Sequence, residues 1–185
     1  MYSFENDIKT VLADEAKLAE ICDRLAREIT ATYENSGRDL IFVTVLKGSV
    51  FFATDLIRRI PLKCELEFMK VSSYGAGTES TGKVSIKLDM IRDDIDRCDI
   101  LIIEDIIDSG ITLYNLTRYL KEKGAKSVRT CTLLDKPSRR RVEFSADYVG
   151  CEVPDEFVVG YGLDYDEMYR ALPFVGVLKP EVYAN

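Results

Sequence analysis

The stretch LIIEDIIDSGITLYNL, residues 101–116, decides the fold. It opens on an apolar run, breaks into the adjacent acids Glu104 and Asp105, and reaches a third acid at Asp108. A patch of hydroxyls and glycine, Ser109 to Thr112, then leads into a segment with helical spacing. Extended outward, CDILIIED (98–105) reads as a strand covered on both faces, since its interior is continuously apolar. TLYNLTRYLKEKG (112–124) reads as a helix with Leu113, Leu116, Tyr119 and Leu120 on one face and Gly124 as its stop.

The neighbouring segments repeat this alternation. Residues 14–35 place Leu18, Ile21, Cys22, Leu25, Ile29 and Tyr33 at helical spacing behind Asp14 as the cap. DLIFVTVL (39–46) reads as a second strand buried on both faces, and GSVFFATDLIRRI (48–60) as a helix ending before Pro61. CELEFMKVS (64–72), the alternating KVSIKLDM (83–90) and KSVRTCTLLD (126–135) add strands. SYGAGTESTG (73–82), rich in small residues, reads as a long mobile hairpin loop. Short strands near ADYVG, EFVVG and PFVGVL follow residue 140 and could form a hood over one edge. Strands alternating with helices imply right-handed crossovers and a parallel sheet flanked on both faces. Ligands of such sheets sit at the carboxyl ends of the strands, where residues 104–112 fall.

Composition narrows the chemistry. The 185 residues suit one well-cored domain, and the net charge of −7 disfavours nucleic acid and anionic lipid as partners. Histidine is absent, which excludes His-based triads and His-ligated zinc and leaves Asp, Glu, Lys, Tyr or Cys as acid or base. The five cysteines are scattered without a CxxC pair, as expected of reduced packing residues in a cytosolic setting. Neither a secretion signal nor a membrane-spanning run of 18 apolar residues is expected.

The opening stretch has a chemical reading of its own. Successive strand residues face opposite ways, so Glu104 and Asp105 are expected to share a site only if the strand ends there. The free amides of Ser109 to Ile111 and of the helix start make a nest for an anion, aided by the Ser109 and Thr112 hydroxyls. Gly110 lets the backbone come close. Acids beside a phosphate repel it unless a diol or Mg²⁺ intervenes, so a sugar phosphate with a free diol and a metal-bound leaving group fits the pattern. The plainer alternative is an acidic turn with an Asp/Ser cap.

These residues carry a resemblance. LIIEDIIDSGIT is similar to the phosphoribosyl-diphosphate (PRPP) loop of the type I phosphoribosyltransferases, in the E-D-I-I-D form of the 6-oxopurine branch. VLKGS (45–49), SSYG (72–75), LLDKPSRR (133–140) and PDEFVVGYGLDYDEMYR (154–170) extend the resemblance to the bacterial hypoxanthine(-guanine) type along almost the whole chain. Ser109 stands where some relatives have threonine, and either supplies a hydroxyl.

The resemblance implies an α/β, type I phosphoribosyltransferase fold: a central mostly parallel sheet flanked by helices, with a small hood subdomain. Residues 1–185 would be a single domain, the hood formed by the N-terminal residues and roughly 150–185. The implied reaction is purine salvage, in which purine N9 displaces diphosphate from C1 of PRPP in the presence of Mg²⁺. Asp108 is then the expected general base toward N7, and the backbone of Asp108, Ser109, Gly110, Ile111 and Thr112 the 5′-phosphate cradle. Glu104 and Asp105 would hold the ribose hydroxyls and Mg²⁺, directly or through water, with Asp164 as a further metal ligand near the base. Lys47, Gly48 and Arg170 would bind diphosphate, and the Leu46–Lys47 peptide can be cis in relatives. Lys136 would donate to the purine 6-oxo group, Phe157 stack on the ring and the Val158 backbone read its edge. Ser73 and Tyr74 would belong to a lid. Arg139 to Arg141 read as solvated loop charges, with Arg140 able to reach diphosphate.

The expected partners are PRPP and a 6-oxopurine in a cytoplasmic homodimer or homotetramer, without nucleic acid or membrane. Rival readings are an RNA-binding regulator on the same scaffold, a Rossmann-type dinucleotide binder and a transferase for uracil, orotate or adenine. The first wants a basic face, whereas this chain is acidic with no obvious basic-aromatic stripe; the second wants a glycine-rich turn, of which VLKGSVFF offers one glycine.

Overall fold

The computed structural model describes residues 4–73 and 84–184. Tyr74 and nearly all of the loop 73–82 lie outside the described residues; of Ser73 only the backbone, at the end of a strand, is described.

A 3-10 turn, Phe4–Asp7, leads into β1 (Ile8–Ala13) and α1 (Glu15–Tyr33). Asp14 caps α1 by accepting from the Lys17 amide at 2.8 Å, and the six apolar residues at helical spacing are all buried. Next come β2 (Asp39–Val45), α2 (Val50–Ile57), β3 (Glu65–Ser73), β4 (Val84–Leu88) and β5 (Cys98–Ile107). After them follow α3 (Ile111–Glu122), β6 (Ser127–Asp135), β7 (Tyr148–Glu152), β8 (Val158–Val159), β9 (Val175–Leu178) and a short α4 (Pro180–Tyr183).

Six strands form the main sheet in the order β4-β3-β2-β5-β6-β7. Only β4 runs antiparallel, against β3. The continuously apolar strands lie at its centre: Ile41 to Val43 and Ile100 to Ile103 are fully enclosed. Because side chains alternate, the sheet divides the core in two. Phe42, Leu101 and Ile103 pack with α1 and α2, whereas Ile41, Val43, Ile100 and Ile102 pack with Leu113, Leu116 and Leu120 of α3.

A second sheet, order β1-β9-β8, joins the N-terminal strand to two late ones through antiparallel pairs. The ADYVG strand differs from the reading of the sequence. It extends the main sheet as β7 rather than joining the other short strands. Its edge is capped by Arg24 of α1, whose Nη2 donates to the carbonyls of Val149 and Gly150 at 2.9 and 2.6 Å. All five cysteines are free, and Cys64 is exposed whereas Cys22, Cys98 and Cys131 are buried. Among the described residues no helix is long and apolar enough to cross a membrane.

Leu101→Ala, at a fully enclosed position, should lower the unfolding free energy by about 2–5 kcal/mol in urea denaturation, with little change in the slope.

Candidate active site

The central strands end beneath a cleft of about 380 Å³, whose lining includes Leu46 to Gly48, Glu104 to Gly110, Thr112, Asp164 and Arg170. Three elements build it: the loop after β2, the end of β5 with the start of α3, and the segment after β8.

The loop after β2 crosses closest to the acids. The Leu46–Lys47 peptide is cis, and the buried Ser49 hydroxyl donates to the Val45 carbonyl. Gly48 lies directly over Asp105: a Cβ there would sit 1.5 Å from Asp105 Oδ2.

β5 runs to Ile107 instead of ending at its first acids. Glu104 and Asp105 nevertheless line one cleft, which corrects the requirement drawn from alternation alone. Pairing with β2 stops at Ile103, while pairing with β6 continues to Ile107. Past Ile103 the strand is no longer paired with β2 on that flank, and both acids line the cleft that begins there. Burial, reinforced by the adjacent Asp105 charge, pushes the Glu104 carboxyl well above the ordinary range. Burial also raises Asp105, opposed by hydrogen bonds from Glu104 and the Ile106 amide and by the charge of Arg170. The upward push is the greater on Glu104. Glu104 Oε2 remains buried without a hydrogen-bond partner.

The nest follows at once. Gly110 precedes α3 with φ +80°, a value that only glycine adopts cheaply, and Ser109 Oγ accepts from the Ile111 amide at 3.3 Å. Ser109, Gly110 and Thr112 face the cleft. Asp108 also lines it, and its Oδ1 lies 2.9 Å from Arg139 Nε as a charge contact without hydrogen-bond alignment. Arg139 is thus more than a solvated loop charge. Arg140 is half-buried, donating to the Asp108 carbonyl at 2.7 Å and pairing with Asp135, so it braces the loop.

Across the cleft, Gly162 presses on the β2 loop: a Cβ on it would meet the Gly48 carbonyl oxygen at 1.8 Å. Arg170 Nη1 donates to the Gly162 carbonyl at 2.7 Å, and its Nη2 pairs with Asp164 at 2.8 Å and Glu167 at 3.1 Å. Asp164 Oδ2 accepts from the Glu167 amide at 2.9 Å. Glu167 reaches Lys47 Nζ with both carboxylate oxygens at 2.9 Å. Its carboxyl is held below the usual range by Lys47 first and Arg170 second. Nothing in DYDEMYR marks Glu167 apart from a solvated acid, and only its spatial neighbours reveal it.

Lys136, Phe157 and Val158 form a second group beside the cleft rather than in its lining. The Lys136 amide donates to the Ile107 carbonyl at 2.9 Å, joining this group to the acidic wall. Lys136 as a residue is 6% exposed, and its ammonium donates to the Glu156 carbonyl at 2.8 Å, unlike an ordinary loop lysine. Phe157 is 37% exposed, stacked on Tyr183 at 4.9 Å and edge-on to Tyr165 at 5.6 Å. Val158 is buried in β8.

Comparison with known proteins agrees with this geometry. Residues 10–166 match the family described as "Phosphoribosyl transferase domain". A hypoxanthine-guanine phosphoribosyltransferase of Staphylococcus aureus is 50% identical over 97% of this chain and 99% of its own. A Listeria monocytogenes protein named "Bifunctional protein TilS/HprT" is 53% identical over 99% of this chain and 28% of its own length. A crystal structure of a hypoxanthine phosphoribosyltransferase from S. aureus superposes with a TM-score of 0.94 at 49% identity, covering 100% of both chains.

The raised Glu104 carboxyl sets a pH-dependent cost. A folded-state pKa above the unfolded value favours folding below the ordinary glutamate range and loses that advantage as pH rises through the folded value. Glu104→Gln should therefore melt higher than the wild type at high pH, with the gap narrowing as pH falls through the folded value and closed by about pH 4. Thermal melts across that range test it.

Proposed function

The chain belongs to the phosphoribosyl transferase family, and from that membership we propose how its cleft carries out the transfer. It is an enzyme of purine salvage that moves the 5-phosphoribosyl group from PRPP to hypoxanthine or guanine at N9, releasing diphosphate and forming IMP or GMP. The observation that best supports the roles below is the one-sided opening of β5, which sets acids, amides and two cations around a single cleft.

The 5′-phosphate sits in the nest from Asp108 to Thr112, held by amides at the start of α3. Glu104 and Asp105 accept from the ribose hydroxyls. Lys47, the Gly48 backbone and Arg170 hold the diphosphate, opposite the acids. The transition state resembles an oxocarbenium ion, so the site needs alignment and charge stabilisation and no protein nucleophile. Asp108 takes the N7 proton as N9 attacks, and Arg139, 2.9 Å away, fixes where its carboxylate stands.

Lys136, tethered to the Glu156 carbonyl, has further N–H donors for the purine 6-oxo group. Adenine presents an amino group there, and a site built on such a bond can reject the mismatched analogue by roughly 10⁴-fold. Phe157 stacks on the base and the Val158 backbone reads its edge.

Mg²⁺ fits the acidic wall. Glu104 keeps an oxygen without a partner, the neighbouring Asp105 charge raises its carboxyl, and the donors are all oxygen, as magnesium prefers together with substrate phosphates and water. Asp164 fits less readily, because its oxygens already serve Arg170 and the Glu167 amide. When bound, Mg²⁺ would neutralise charge on the diphosphate as it leaves.

We take residues 1–185 as one domain with the small sheet as its hood, working in the cytoplasm as a homodimer or homotetramer. The exposed apolar side chains Leu66, Phe68, Leu88 and Ile91 on the β3–β4 side support association.

The decisive assay supplies PRPP and Mg²⁺ with a panel of free bases and follows nucleotide formation. Hypoxanthine or guanine should turn over; turnover only with adenine or uracil would overturn the assignment. Asp108→Asn should lower kcat about 10²-fold or more while PRPP binding stays near wild type. Lys136→Ala should weaken hypoxanthine binding about 10- to 100-fold with little effect on PRPP, measured by calorimetry.

A further inference from the structure

Both cations assigned to the leaving group are already neutralised by this chain. Lys47 Nζ meets the two Glu167 oxygens at 2.9 Å, and Arg170 Nη2 meets Glu167 Oε2 at 3.1 Å. One carboxylate thus bridges the loop after β2 and the segment after β8, in the place where diphosphate oxygens would otherwise make their contacts. Asp164 pairs with Arg170 as well, but its other oxygen is fixed to the Glu167 amide, so it cannot leave as a unit. Glu167 can: its side chain is 63% exposed, and only ion pairs tie it down.

The backbone also favours this placement. Asp166, Glu167 and Tyr169 have φ of +49°, +63° and +71°, left-handed values that cost a non-glycine residue free energy. The tight turn they make accompanies the reach of the Glu167 carboxylate to Lys47 and Arg170.

We propose that Glu167 is an internal competitor of diphosphate, releasing Lys47 and Arg170 when PRPP binds and recapturing them as diphosphate departs. This rests on the diphosphate role given above to Lys47 and Arg170. Holding those cations before PRPP arrives weakens its binding and, by the same free energy, weakens the hold on the departing diphosphate. Because diphosphate and PRPP use the same two cations, both affinities move together, whereas affinity for the base does not. Each exposed pair is worth up to about 1 kcal/mol, so removing the charge should tighten diphosphate about three- to tenfold.

The test is Glu167→Gln, with Glu167→Asn as a second variant whose side chain tolerates the left-handed backbone. Calorimetry with inorganic diphosphate and Mg²⁺ should show the three- to tenfold tightening for both. The KM for PRPP and the inhibition constant of diphosphate should fall by a similar factor, while the KM for hypoxanthine and the melting temperature hold. Salt near 0.5 M should shrink the gain. In a Lys47→Met background the gain should be roughly halved or less, as expected of coupled groups. Unchanged or weaker diphosphate binding in both folded variants would overturn the proposal, since a merely structural Glu167 predicts that result. Wild-type protein that transfers phosphoribose while the variants fail to tighten diphosphate refutes this inference alone. Wild-type protein that neither binds diphosphate nor uses PRPP refutes the underlying assignment as well.

Discussion

The loop after β2 is pressed between the Asp105 carboxylate and the backbone of the segment after β8, and the cleft depends on that contact. Gly48 lies on the Asp105 carboxylate, and Gly162 lies on the Gly48 carbonyl, at separations that leave no room for a Cβ at either glycine. The contact sets how far the end of β5, the loop after β2 and the segment after β8 stand from one another. Lys47 follows from the first contact as the neighbour of Gly48. Arg170 follows from the second, because its guanidinium is anchored on the Gly162 carbonyl. A side chain at either glycine would wedge the layers apart and carry both cations away from the nest, with the core of the sheet untouched.

The same compression concentrates charge. Asp105 cannot turn away from Glu104, so two buried carboxyls stand together, and burial raises both above their ordinary range. Interiors ordinarily avoid this arrangement, since buried charge is costly without a partner. Here the missing partners are those a pentose diol and a divalent cation supply. The opposite wall is arranged differently: every cation there has an acid beside it, Arg170 with Asp164 and Glu167, Lys47 with Glu167. Frustration on the acidic side therefore favours binding of the sugar and its metal, while satisfaction on the basic side restrains the grip on diphosphate. A transferase that must release diphosphate each turnover benefits from both.

Much of this was legible beforehand. The apolar runs 39–46 and 98–105 announced central strands because only a strand covered on both faces tolerates that pattern, and α1 and α3 appeared through their spacing. The acids and the nest were read together because they are adjacent in the chain. Relations between distant segments were not legible. Arg139 beside Asp108, Glu167 bridging Lys47 and Arg170, and the Lys136 ammonium donating to the Glu156 carbonyl all join residues brought close only by folding. The ADYVG strand looked like its short neighbours, and its place beside β6 was settled by long-range pairing and by α1 covering its edge.

By itself, then, the order of residues determined the α/β alternation, the strand-to-helix junction at 104–112 and the kinds of group it presents, since these follow from local spacing and residue chemistry. Tertiary structure alone decided that pairing with β2 stops one residue short of Glu104, that Gly48 and Gly162 stack over Asp105, and that Glu167 faces the diphosphate cations. The physical reason is that local pattern fixes which face a side chain takes along its own element. Where two elements end relative to each other depends on packing between segments far apart in the chain, which no local pattern records.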